Sequence, residues 1–66
     1  MQDFVKRLIV EKDELIDKLE KLQDFFVTDK FENLDNENKM LLSTQLNIMR
    51  AYLSILKRRI DINNKE

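Results

Sequence analysis

The sequence predicts an all-α chain: an antiparallel two-helix hairpin with a short helical turn in its connection, assembling into a compact homo-oligomer. Apolar residues recur in alternating steps of three and four along both halves of the chain, the period of an amphipathic helix. Gly and Pro, which most often punctuate helices, are absent. At 66 residues the chain is one domain, 1–66, and a chain of this size buries only about 60% of its unfolded surface when alone.

In the first half, Val5, Leu8, Lys12, Leu15, Leu19, Leu22 and Phe26 fall on one helical stripe, and only Lys12 interrupts it. A lysine at such a position keeps its stem against apolar neighbours and carries its ammonium out to water. Glu14 with Lys18 and Asp17 with Lys21 place acid before base at i,i+4, the favourable order on a helix surface. Helix one is predicted over about 3–26.

From 27 to 35 the pattern lapses into Thr28-Asp29-Lys30-Phe31-Glu32-Asn33-Leu34. Short polar side chains there offer the backbone local hydrogen bonds that compete with a continuing helix. Asp29 and Glu32 have capping-box spacing, which predicts one helical turn with Phe31 and Leu34 as its apolar plugs. Asp35 is the predicted N-cap of helix two, and Glu37 in its first turn favours the helix dipole.

Helix two is predicted over about 36–61, with a tail at 62–66. Leu42, Leu46, Met49, Leu53, Leu56 and Ile60 form an unbroken stripe that pairs with helix one. Beside it runs a second stripe of Leu41, Gln45, Ile48, Tyr52, Ile55 and Arg59, apolar in the middle and polar at both ends. One partner helix cannot cover both, so the second stripe is predicted to lie exposed on a lone hairpin. Contiguous apolar surface of that kind marks an interface, and a self-complementary patch most often closes by symmetry. The other supplements of small cores, disulfides and metals, need residues that this sequence lacks, since it has neither Cys nor His.

Composition also limits function. A formal charge of −1 argues against the extended phosphate-tracking surface of a DNA-binding protein. Without His, the side chain best suited to proton transfer near neutral pH is missing, and the carboxylates of helix one are interleaved with lysines as on a solvated face. No catalytic residue, metal site or cofactor is therefore predicted, and a phosphate loop or dinucleotide fold is excluded by the lack of glycine. No stretch approaches the roughly 18 apolar residues of a membrane span. Nor does the start resemble a signal peptide, so the expectation is a soluble, cytosolic protein without a membrane partner.

A few side chains invite a sharper reading. Lys57 and Arg58 oppose the negative end of the helix-two dipole. Arg59 instead shares the second stripe with Tyr52 and Ile55, where its guanidinium could take a phosphate bidentately at an interface edge. Phe4, Glu11, Lys18 and Phe25 follow at steps of seven along one flank of helix one. Packing is the commoner role for such aromatics, and the alternative is that Phe4 stacks a base while Lys18 or Arg7 meets a phosphate.

The spacing Arg7-x-x-x-Glu11-x-x-x-Leu15, then Leu22-x-x-Phe25, then Leu42-x-x-Gln45-x-x-x-Met49-x-x-Tyr52-x-x-Ile55-Leu56-x-x-Arg59-Ile60 resembles the hairpin domain of phage anti-CBASS cyclic-nucleotide sponges. A related hairpin occurs in phage anti-Thoeris sponge proteins. The resemblance runs from about Phe4 to Ile60. It implies a homohexamer in the cytoplasm of the infected bacterial host that binds cyclic dinucleotides, cyclic trinucleotides or both between subunits and sequesters them uncleaved. Carried over residue by residue, it implies that Phe4 takes the place of an aromatic, usually tyrosine, that stacks on a nucleobase. It gives Lys18 the role of the phosphate-pairing lysine of helix one and Arg59 that of the arginine at the trinucleotide site. Phe4, Arg7, Lys18, Tyr52 and Arg59 are the expected ligand-binding residues. The competing expectation is a small structural or adaptor protein whose second stripe docks a partner helix.

Overall fold

The computed structural model describes residues 2–64, so Lys65 and Glu66 of the expected tail lie outside the described residues. Three helices follow in order: α1 (Asp3–Phe25), the four-residue α2 (Asp29–Glu32) and α3 (Asn36–Asn63). The two long helices pack against each other. Their contacts run antiparallel: Leu8 and Leu15 of α1 enclose Leu56 of α3, while the other end of α1 meets the connection through Phe25, Phe26 and Phe31.

The seam is built from the stripes that the 3-4 rhythm defines. Val5, Leu8, Leu15 and Leu19 are buried on α1, and Leu46 and Leu56 are buried on α3. Leu56 is fully buried and joins Leu8 and Leu15 in one cluster, with Met49, Leu53 and Ile60 packed around it. Lys12 keeps its place on the stripe, with its side chain 28% exposed and its ammonium 3.4 Å from Asp13, as a snorkelling lysine should be.

The helix ends differ in detail from expectation. The Thr28 hydroxyl and backbone N–H both donate to the Phe25 carbonyl, at 2.7 and 3.1 Å, and α1 stops at Phe25. The cap of α2 is Thr28, whose hydroxyl accepts the Phe31 N–H at 3.3 Å, and not an Asp29–Glu32 box. The shift by one residue has a simple cause: Thr28 has the extended backbone that a cap needs, while Asp29 is already helical. Asp35 caps α3 as expected, its carboxylate accepting the Asn38 N–H at 2.8 Å. At the far end α3 continues past 61 to Asn63, because Asn64 N–H still donates to the Ile60 carbonyl at 2.9 Å.

The resulting body measures 50 × 15 × 13 Å with a radius of gyration of 15.1 Å, against about 11 Å expected for a globular domain of this length. A rod of two helices has one seam and leaves the rest of each helix in water. Leu41, Ile48, Tyr52 and Ile55 are accordingly exposed, Ile48 by 63%, and Ile62 extends the same stripe by one more step of three. No described helix is long and apolar enough to cross a membrane.

Candidate functional site

Successive positions on an α-helix advance by 3.6 residues per turn, so residues beside a packed stripe lie on one of its two flanks. On α3, Gln45, Tyr52 and Arg59 occupy one flank of the seam stripe, and Arg50, Lys57 and Asn64 the other. On α1, Phe4, Glu11, Lys18 and Phe25 lie on one flank, and Ile9, Ile16 and Gln23 on the other, with Lys12 leaning toward that second side.

The pairing of flanks follows from the groove at the open end of the hairpin, which Lys12 lines together with Lys57, Ile60 and Asn64. That groove places the Ile9–Ile16 flank of α1 on the same face as Lys57 and Asn64. The Phe4–Lys18 flank of α1 therefore shares the opposite face with Tyr52 and Arg59. Arg7 sits one step outside Phe4 and Glu11 on that face. All five sequence-predicted residues are thus on one side of the hairpin, together with exposed Ile48 and Ile55.

Their order along the rod follows from Leu56, which packs in one cluster with Leu8 and Leu15 and so lies between their levels. Arg59 lies near the level of Leu8, between Phe4 and Glu11. Tyr52 lies near the level of Leu15, between Glu11 and Lys18. Phe4 and Lys18 are separated by about 21 Å of helix axis and Tyr52 and Arg59 by about 10 Å.

The charges of this face are mixed, with Glu11 beside the cations Arg7, Lys18 and Arg59. Lys12, Lys21, Lys39 and Arg58 form ion pairs with Asp13, Asp17, Glu32 and Asp61. Among the described residues Arg7, Lys18 and Arg59 form none, and the Glu14–Lys18 pair expected from the spacing is not made. Three exposed cations thus share the face with exposed Phe4 and Tyr52. Such a face offers planar surfaces for stacking and guanidinium or ammonium donors for anions. Among the described residues no group of three or more acidic side chains is placed to hold a metal ion.

Sequence reasoning missed two features. Ile62 continues the exposed stripe, and the signal for it was present in the unbroken 3-4 spacing from Leu41 onward. The groove of Lys12, Lys57, Ile60, Asp61 and Asn64 joins residues from both helices, so it becomes visible only once their register is set.

No curated protein and no solved structure matches the chain. A family model described as Sequestin matches residues 2–62, which include both long helices nearly entire and every residue of the candidate face. The chain therefore belongs to the Sequestin family, whose name denotes sequestration.

Proposed function

We propose that the protein is a phage immune-evasion factor that binds cyclic di- or trinucleotide second messengers and holds them uncleaved, so that CBASS-type antiviral signalling in the infected cell's cytoplasm stays off. The observation that carries this reading is the gathering of Phe4, Arg7, Lys18, Tyr52 and Arg59 on one face, with all three cations free of ion pairs among the described residues. Family membership supports sequestration as the mode of action. Sequestration asks only for affinity, and a binding face with no metal, cofactor or catalytic residue suffices for it.

Assembly belongs to the same proposal. The exposed stripe of Leu41, Ile48, Tyr52, Ile55 and Ile62 forms the contact between copies of a homohexamer, and the site completes itself where faces of different subunits meet. Each copy then contributes a few weak contacts, and symmetry repeats them around a multiply anionic ring. Stacking contributes about 1–3 kcal/mol per base, with a similar amount from each charge-assisted phosphate contact.

Native mass spectrometry of the purified protein, alone and with a mixture of cyclic di- and trinucleotides, tests both parts. A hexamer that retains intact cyclic ligand is the expected result, and the retained masses name the preferred rings. A dimer that retains nothing would instead favour an adaptor whose exposed stripe docks a partner helix.

A further inference from the structure

On the face opposite the candidate site, Lys12, Lys57, Ile60, Asp61 and Asn64 line an open groove of about 350 Å³, a volume at the small end of ligand pockets. Lys12 is the one charged member of a seam stripe that is otherwise apolar. A hydrophobic residue there would extend the core, so the lysine gives up apolar burial at this point. Its ion partner is Asp13, the next residue of its own helix, at 3.4 Å, so the pair contributes nothing across the seam.

From α3, Lys57 lines the same groove and makes no ion pair among the described residues. Two ammonium groups from different helices thus line one groove, each with donors that an anion could take up. Ile60 supplies an apolar wall. Asp61, held at 3.3 Å by Arg58, and the Asn64 amide add an acceptor and a mixed donor–acceptor. A bare anion would meet the Asp61 carboxylate unfavourably, whereas a ligand that also carries hydroxyl groups can donate to it.

We propose that this groove is a second binding site, specific for a small phosphorylated sugar. The phosphate lies between Lys12 and Lys57, the hydroxyls meet Asp61 and Asn64, and Ile60 packs against the ring. The site is on the other face of the hairpin from Phe4, Tyr52 and Arg59 and stands independently of the function proposed for them.

The test is an amide chemical-shift titration of the intact protein with ribose 5-phosphate, and in parallel with ribose and with inorganic phosphate. Ribose 5-phosphate should give saturable shifts centred on Lys12, Lys57, Ile60 and Asp61, with weaker binding of phosphate and none of ribose. Lys12→Met keeps the seam apolar and the chain folded. It and Lys57→Met should each weaken binding by about tenfold or more, the loss of one charge-assisted contact, while Arg59→Glu leaves it unchanged. Shifts that do not saturate, or that persist in Lys12→Met, would overturn the site. Equal affinity for phosphate and ribose 5-phosphate would overturn the specificity given to Asp61 and Asn64.

Discussion

The ring of Phe31 stacks on that of Phe26, with centroids 4.5 Å apart and planes inclined by 23°. The edge of Phe25 meets the same ring at 6.0 Å, and Lys39 reaches over it at 5.8 Å while lying 3.9 Å from Glu32. One side chain of the connection therefore ties the end of α1 to the start of α3. Phe31→Ala removes the stack and the plug together. Phe31 is only half-buried, so the expected loss is about 2 kcal/mol, below the 3–5 typical of fully buried aromatics. Urea unfolding measures it, and a loss under about 0.5 kcal/mol, the size of an ordinary surface change, would mean that the connection is not anchored through this ring.

Asp35→Ala deletes the acceptor for the Asn38 N–H and should destabilise the protein by about 1 kcal/mol, with Asp35→Ser recovering most of it. Thermal unfolding of the pair of variants separates capping from charge. If serine fails to rescue, the carboxylate acts through its charge at the helix N-terminus instead.

Leu56 is the seam residue with no exposure, and it packs in one cluster with Leu8 and Leu15. Leu56→Ala should cost about 2–5 kcal/mol. In a protein with so small a core that loss should abolish the cooperative transition at ambient temperature, a result that circular dichroism reports directly. A folded variant with nearly unchanged stability would mean that the principal core lies elsewhere, between subunits.

How much of this was legible in the sequence depends on the range of the interaction. Val5, Leu8, Leu15 and Leu56 announced their burial through spacing alone, because a helix converts sequence separation into direction. The Asp35 cap was legible for the same local reason. The α2 cap was misplaced by one residue because Thr28 and Asp29 are both good caps, and only the backbone turn after Phe25 chooses between them. Phe4 and Arg59 were each legible as unusual residues, but their shared face was not read from two separate stripes. It follows from antiparallel packing with Leu56 set between Leu8 and Leu15, a long-range register. The Lys12–Lys57 groove stayed hidden for that reason too.

Ile48 and Ile55 are exposed on the hairpin, so replacing either should leave its fold within about 0.5 kcal/mol. In the proposed assembly they are interface residues, where a buried unpaired carboxylate is strongly unfavourable. Ile48→Glu with Ile55→Glu should therefore convert the oligomer to monomers that remain helical, and should abolish ligand retention with it. Sedimentation velocity decides the point: an unchanged oligomer would exclude this stripe from the interface.

Arg59 and Lys18 test the site apart from the assembly. Both are exposed and without ion pairs among the described residues, so neither has a structural contact to lose on one chain. Each charge-assisted phosphate contact contributes about 1.5–3 kcal/mol. Arg59→Glu or Lys18→Glu should thus weaken cyclic-nucleotide binding by roughly ten- to a hundredfold or more, while the oligomer stays whole. The binding should also weaken as salt rises, since the contacts are between exposed charges. Calorimetry beside native mass spectrometry reads both quantities on the same sample. Dissociation of the oligomer by either substitution would make these residues structural, and affinity that survives both reversals would remove them from the site.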